Sequence, residues 1–198
     1  MLKVPVLIEG VRLRLRRSTP ADAAWTFAAA NDAEVMRYLD WPALRAEAEA
    51  RAYLEGCAAR WDAGSEFHWV IEAKPQGQAI GTIACRPKGH AVDFGYFLAR
   101  AHWGQGLGTE AAQLLVGWLQ RQASIWRIWA TADADNTRSA AVLLKAGLVR
   151  EGMMRKASIR PNFMATGHGS SIQASTPRDT ALFAWARDAT PAPQQDSA

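Results

Sequence analysis

Apolar and polar residues alternate near the start of the chain, with Val11, Leu13 and Leu15 set against Arg12, Arg14 and Arg16. That period of two predicts a strand over Ile8–Arg17 whose arginines form a solvated face. Thr19-Pro20-Ala21-Asp22 then reads as a helix start, with a hydroxyl cap, a proline in the first turn and a carboxylate near the positive dipole end. This helix is expected to turn Ala24, Phe27 and Ala28 inward and to stop near Asn31-Asp32. After a connector at Tyr38–Pro42, a second helix is expected over Ala43–Trp61, ended by Asp62-Ala63-Gly64. Strands follow at Phe67–Ala73, Ala79–Arg86 and Ala91–Leu98, the first two joined by a turn at Lys74–Gln78. A glycine-spaced run leads into a helix carrying Leu114, Leu115, Trp118 and Leu119. A strand at Ile125–Ala132, a short helix after Asn136 stopped by Gly147, and strands at Met153–Ile159 and Ala181–Arg187 complete the pattern. The order describes an α+β fold: a mixed, mostly antiparallel sheet flanked by helices in an αβ sandwich, without internal repeats.

The run Trp103-Gly104-Gln105-Gly106-Leu107-Gly108-Thr109 carries the most chemistry. Its glycines permit backbone conformations closed to other residues, so successive N–H groups can converge on an anion. The helix behind adds unpaired donors and a positive dipole end. Taken alone, the same run also reads as a plain turn. It stands, however, between a strand and a helix, and a second polar helix entry, Asp135-Asn136-Thr137-Arg138-Ser139, lies downstream.

With Trp103–Ala111, Asn136–Ser139 and Lys145-Ala146-Gly147-Leu148-Val149-Arg150-Glu151-Gly152 in this order and spacing, the chain resembles the GNAT superfamily of N-acetyltransferases. The resemblance is to the ribosomal-protein N-terminal acetyltransferase branch (RimJ/RimL-like) and runs from about Val11 to Arg187. It implies the GNAT fold, acetyl-CoA as cofactor, and direct transfer of acetyl to a primary amine in a ternary complex. It also implies that the main chain of Gly104, Gln105, Gly106, Leu107, Gly108 and Thr109 holds the pyrophosphate of coenzyme A. Trp103 occupies the position where relatives usually carry Gln or Arg. Tyr96, Phe97 and Leu98, splayed by a bulge, would bind the pantetheine arm and meet the thioester oxygen; Gly95 suits such a bulge or eases close packing. Asn136 would hold pantetheine amides, and Lys145 would reach a cofactor phosphate or serve as a surface lysine near the helix end.

The attacking amine must be neutral, and Asp93 occupies the strand position where many relatives carry a carboxylate. It is either the base, acting through water because Asp is short, or an Asp on a solvated face. Ser139 matches a serine whose hydroxyl serves the departing thiolate in relatives; helix capping is its other reading. Tyr38, Asp40 and Trp41 sit in the connector that borders the acceptor in the family, where they are acceptor contacts or core and cap residues.

At 198 residues, 49% hydrophobic, the chain reads as one domain over residues 1–188, with a long flexible loop over 161–177 and a disordered tail over 189–198. A net charge of +4 without a basic run interleaved with aromatics argues against a nucleic-acid partner. No run is long and apolar enough for a membrane, so a soluble cytoplasmic protein is expected. Cys57 and Cys85 read as buried thiols, and no histidine pair has ligand spacing, so no metal is expected. The expected partner is an amine-bearing acceptor, a protein N-terminus or a small molecule, and nine tryptophans leave room for a homodimer. The alternative function is an acyl-CoA-binding sensor of the same fold without turnover. A nucleotide-binding phosphate loop fits less well, because no Gly-Lys-Ser/Thr ending follows Gly108.

Overall fold

The computed structural model describes residues 2–163 and 176–188. Its strands are β1 (Leu7–Glu9), β2 (Leu13–Arg17), β3 (Phe67–Ala73), β4 (Gln78–Lys88), β5 (Ala91–Leu98), β6 (Arg127–Asp133), β7 (Val149–Ser158) and β8 (Arg178–Ala186). Its α-helices are α1 (Ala23–Ala30), α2 (Ala33–Met36), α3 (Glu47–Asp62), α4 (Leu107–Gln120) and α5 (Thr137–Lys145). The strands form one sheet in the order β1-β2-β3-β4-β5-β6-β8-β7, with every neighbouring pair antiparallel except β5 and β6. The expected α+β sandwich is therefore present, while 164–175, most of the anticipated loop, and the tail at 189–198 lie outside the described residues.

The single strand expected over Ile8–Arg17 is a hairpin. Gly10 N–H bonds to the Leu13 carbonyl at 2.9 Å, and Val11 at the bend is 89% exposed. A Cβ on Gly10 would fall 2.6 Å from Leu114 Cδ1, so glycine lets the bend lie against α4. Alternation alone cannot register such a reversal, because residues on both arms keep the same period.

The arginines of β2 face less water than expected. Arg14 and Arg16 each reach the buried carboxylate of Glu72 at 2.6 Å, and Arg16 also grips Asp22 at 2.5 and 2.9 Å. Asp22 in turn accepts the Thr19 N–H at 2.8 Å, closing the predicted helix start. The first turn there, Pro20–Asp22, is a 3₁₀ turn. With 3.0 residues per turn it rotates the face that α1 inherits, so Ala23, Thr26, Ala29 and Ala30 are buried while Ala24 and Ala28 are exposed. The next helix also starts later than expected, at Glu47. Ahead of it, Ala43 N–H bonds to the Asn162 side chain at 2.8 Å and Leu44 N–H to the Ala30 carbonyl at 3.1 Å, tying this stretch to the end of α1.

One face of the sheet carries α4, whose Leu107, Ala111, Leu115 and Leu119 pack on Leu13, Leu15, Trp69, Ile83 and Phe94. On the other face, Ala23 of α1 meets Ala50 and Leu54 of α3, above His68 and Glu72 of β3. Both faces being covered, β3 is buried at six of its seven positions, and its two polar residues are partnered there, His68 by Ser18 and Glu72 by Arg14 and Arg16.

Candidate active site

The site begins where two strands part. β5 pairs with β4 continuously from Lys88↔Ala91 to Gly81↔Leu98, but its parallel pairing with β6 ends after Ala91↔Arg127, Val92↔Ile128 and Asp93↔Trp129. Past Asp93 the edge of β5 faces a gap. The bulge anticipated at Gly95 does not interrupt the pairing with β4; divergence of β6, not an extra residue, opens the sheet. Ala99 N–H bonds back to Ile80 and the Leu98 carbonyl accepts the Trp103 indole N–H at 2.8 Å. Since main-chain groups alternate sides along a strand, Phe97 turns its amide and carbonyl toward β4, whereas those of Tyr96 and the N–H of Leu98 face the gap.

The glycine-spaced run follows directly. Gly104 and Gly106 have φ of 74° and 76°, the left-handed region that favours glycine, and Gly106 is the N-cap of α4. Gly108 is different: it is helical, and a Cβ there would lie 3.2 Å from Leu98 Cδ1 and 3.5 Å from Tyr96 Cε2. Its smallness brings α4 close to β5 and does not serve a special backbone angle. The first intrahelical bond is from Glu110 N–H to the Gly106 carbonyl, and no side chain caps the helix. The amides of Gly106, Leu107, Gly108 and Thr109 are therefore left as donors at a positive dipole end. Arg12 fastens the loop from behind, bonding the Gln105 carbonyl at 2.9 Å and Glu110 at 2.7 Å. The Trp103 indole is used internally, on Leu98, with the Arg138 guanidinium 5.5 Å from its ring centroid.

Asn136 caps α5, its side-chain oxygen accepting Ser139 N–H at 3.1 Å. One face of this short helix thus delivers Asn136 and Ser139 to a cleft of about 580 Å³ that runs along the gap. Tyr96 O–H donates to Ser139 Oγ at 3.3 Å. Burial pushes the Tyr96 phenol up to about 12, so it stays protonated at neutral pH. Lys145, at the far end of α5, is not in this cleft; it borders a shallow groove with Gly106, Thr109 and Gln113.

The opposite wall comes from β5 and the connector. Asp93, Gly95 and Phe97 line the cleft together with Tyr38, Asp40 and Trp41. Asp93 Oδ2 accepts the Arg86 Nε–H at 2.8 Å and a second, closer bond from its Nη2. Phe97 packs between Trp25 and Trp41, with ring centroids 6.4 and 6.2 Å away. Asn162 pins the connector by donating to the Met36 and Trp41 carbonyls at 3.1 and 2.7 Å. His68 lies fully buried at the floor, bonded to Ser18 Oγ at 2.9 Å, and burial lowers its pKa to about 4.

Residues 12–149 match the model of the acetyltransferase (GNAT) domain. The chain belongs to the GNAT acetyltransferase family. It is an N-acetyltransferase, with acetyl-CoA as the acetyl source. It is similar to the uncharacterized N-acetyltransferase YoaA of Bacillus subtilis, 30% identical over 153 residues that cover 76% of this chain and 86% of the relative. It is also 25% identical over 131 residues to the ribosomal-protein-serine acetyltransferase of Escherichia coli, covering 64% of this chain and 72% of that one. Among solved structures it shares its fold with the ribosomal L7/L12 alpha-N-protein acetyltransferase RimL in complex with coenzyme A. The TM-score is 0.76 at 21% identity, over 91% of this chain and 97% of that one.

In this GNAT domain the structure thus gathers Tyr96, Asn136, Ser139 and Asp93 with the connector residues, and leaves Lys145 outside. Arg86, Trp129, Asp133 and Arg160, which sequence reasoning did not place in the site, also line the cleft. Arg86 was within reach of prediction: a tight turn at Gly89-His90 sets Lys88 opposite Ala91 and hence Arg86 opposite Asp93. Among the described residues no cluster of three His, Cys, Asp or Glu side chains suits a metal, and no helix is long and apolar enough to cross a membrane.

Proposed function

We propose that this enzyme acetylates an α-amine, that of a protein N-terminus or of a small molecule, by direct attack in a ternary complex. The observation that carries the proposal is the position of β5 within one cleft: its open edge adjoins the phosphate-type loop while Asp93 and Phe97 project toward the connector. Acetyl-CoA, when bound, supplies an acyl group activated as a thioester. The amides of Gly106–Thr109 would hold its pyrophosphate, and the exposed main-chain groups of Tyr96 and Leu98 would align its arm like an added strand. An N–H of that edge, preorganised in the gap, would stabilise charge on the carbonyl oxygen. Ser139 O–H would donate a hydrogen bond to the departing thiolate, its own oxygen polarised by the neutral Tyr96 phenol, and the proton lost by the attacking amine would balance the charge on sulfur.

Direct attack is favoured because the described thiols are not in the cleft. Cys57 and Cys85 are buried in the core, and burial raises both pKa values, so neither is poised as a nucleophile. Asp93 has one oxygen engaged by Arg86 and one left for an ammonium or a relay water. An α-amine suits this modest assistance: with a reference pKa of roughly 8 it is about one-quarter neutral at pH 7.5, whereas a lysine near 10.4 is neutral in only about one molecule in a thousand. The resemblance to the E. coli ribosomal-protein-serine acetyltransferase supports a protein N-terminus among the candidates.

The test is release of free coenzyme A thiol from acetyl-CoA with peptides of free and blocked N-terminus, checked by intact mass. Acetylation of the free α-amine is expected. Transfer to lysine side chains alone, or no amine-dependent release, would overturn the proposal.

A further inference from the structure

We infer that the preferred acceptor carries a carboxylate close to its amine, and that Arg160 recognises it. The inference rests on the α-amine reading above and narrows it to a substrate class.

Arg160 ends the run after β7 and lines the same cleft as Asp93, Asn136 and Ser139. Its side chain is 7% exposed, yet its Nε has no hydrogen-bond partner among the described residues. Its nearest carboxylate atoms lie beyond hydrogen-bond distance, at 3.8 Å for Asp133 Oδ2 and 4.0 Å for Asp40 Oδ2. Asp133 is already satisfied: Arg178 clasps both its oxygens at 2.7 and 2.9 Å, and Asp135 N–H adds a bond at 3.1 Å. A guanidinium withdrawn from water without a matched partner is costly, and natural proteins rarely leave one so.

The charge balance indicates what completes it. Asp133 is fully buried and clasped by Arg178, which also bonds Asp135 at 2.6 Å, so Arg160 is left as the one cation of this corner without a close ionic partner among the described residues. The other nearby carboxylates, Asp40 and Asp135, have side chains 72% and 66% exposed and are screened by solvent. A neutral carbonyl would fill a hydrogen bond but not balance the charge; a carboxylate does both and matches the planar fork of arginine. Such a group is available either as the α-carboxylate of a free amino acid or as an acidic side chain next to the N-terminus of a peptide.

Two matched pairs separate these sources: alanine with alaninamide, and alanyl-glutamyl-alaninamide with alanyl-glutaminyl-alaninamide. For each pair the ratio of kcat/KM, carboxylate over carboxamide, is measured in the wild type, Arg160→Gln and Arg160→Lys, with acetyl-CoA affinity followed by calorimetry. Comparing ratios between proteins removes the intrinsic difference in amine basicity. The ratio is expected to fall at least fivefold in Arg160→Gln in one arm, which names the source, with acetyl-CoA affinity unchanged. Arg160→Lys, which keeps the charge and loses the fork, is expected to fall between, and serves alone if the Gln variant does not fold. A smaller change in both arms, or a loss confined to acetyl-CoA binding, overturns the inference while leaving acetyl transfer intact. Wild-type enzyme that binds acetyl-CoA and acetylates none of the four amines overturns the α-amine proposal itself.

Discussion

His68 gives the stability of this protein a pH dependence that can be worked from the structure. The imidazole is fully buried beneath the cleft, bonded to Ser18 and edge-on to Tyr53 at 5.6 Å between centroids. Burial is the main cause of its low folded pKa of about 4, against 6.5 for a free histidine, with the nearby Arg60 charge acting in the same direction. Because the folded pKa lies below the unfolded one, the unfolded chain takes up the proton first. Stability is therefore complete above pH 6.5 and declines as pH falls toward 4. The full difference corresponds to about 3 kcal/mol, and by pH 5 about 2 kcal/mol of it is already lost. His68→Asn keeps a polar atom near Ser18 and cannot titrate. Denaturant unfolding of both proteins, followed by tryptophan fluorescence at pH 7.5, 6 and 5, isolates the effect, since groups shared by both cancel in the difference. The stability gap between wild type and variant is expected to shrink by about 2 kcal/mol from pH 7.5 to pH 5. A gap constant within about 0.5 kcal/mol over that range would refute the reasoning, because His68 would then titrate alike in both states.

Three further outcomes follow from the site. Gly106→Ala forces a side chain into φ 76° with Arg12 Nη2 3.4 Å away; a strain of roughly 1–2 kcal/mol should lower the melting temperature by about 2–8 °C, and its relief by rotation of the loop amides should weaken acetyl-CoA binding measurably by calorimetry. Ser139→Ala should lower kcat roughly 10- to 100-fold while KM for acetyl-CoA stays within about twofold; steady-state assay distinguishes this from a binding defect. Gly81→Ala places a Cβ 2.5 Å from both the Phe97 carbonyl and Leu98 Cδ2, so overpacking of roughly 1–3 kcal/mol should appear in denaturant unfolding, together with lost activity from displacement of the open strand edge.

Much of the architecture was legible because each element carries a local signal. β3 and β5 were bounded correctly, and Asn136 does cap the helix assigned to it. The misreadings arose where a distant residue changed a local outcome. Ala43–Ala46 has helical composition, yet it lies ahead of the helix, tied at the Ala43 amide to the Asn162 side chain 119 positions away. Alternating arginines on β2 looked solvated because the carboxylate that pairs with Arg14 and Arg16, Glu72, comes from β3 and is separated from Arg16 by 56 residues. Periodicity records which face a residue occupies, not what covers that face.

The chemistry divides along the same line. The backbone conformation of the loop was readable from Gly104 and Gly106, because the need for positive φ is written in the residue itself. Gly108 shows the limit: its type is equally conspicuous, but its reason is the approach of Tyr96 and Leu98 to α4, a fact of packing. The wall of the cleft nearer the connector depends on pairs formed across the sheet, Arg86 with Asp93 and Arg178 with Asp133, and what remains once those pairs are satisfied. Asp93 illustrates the consequence. Viewed alone it is a candidate base; beside Arg86 it is a carboxylate with one oxygen engaged, better suited to orient an amine or a water than to hold a proton unaided. Rate should then depend on acceptor basicity more than on Asp93 itself, so Asp93→Asn should impair transfer to an α-amine of low pKa and to a more basic amine by a similar factor. A loss markedly greater for the more basic amine would place proton removal on Asp93 and reverse the assignment.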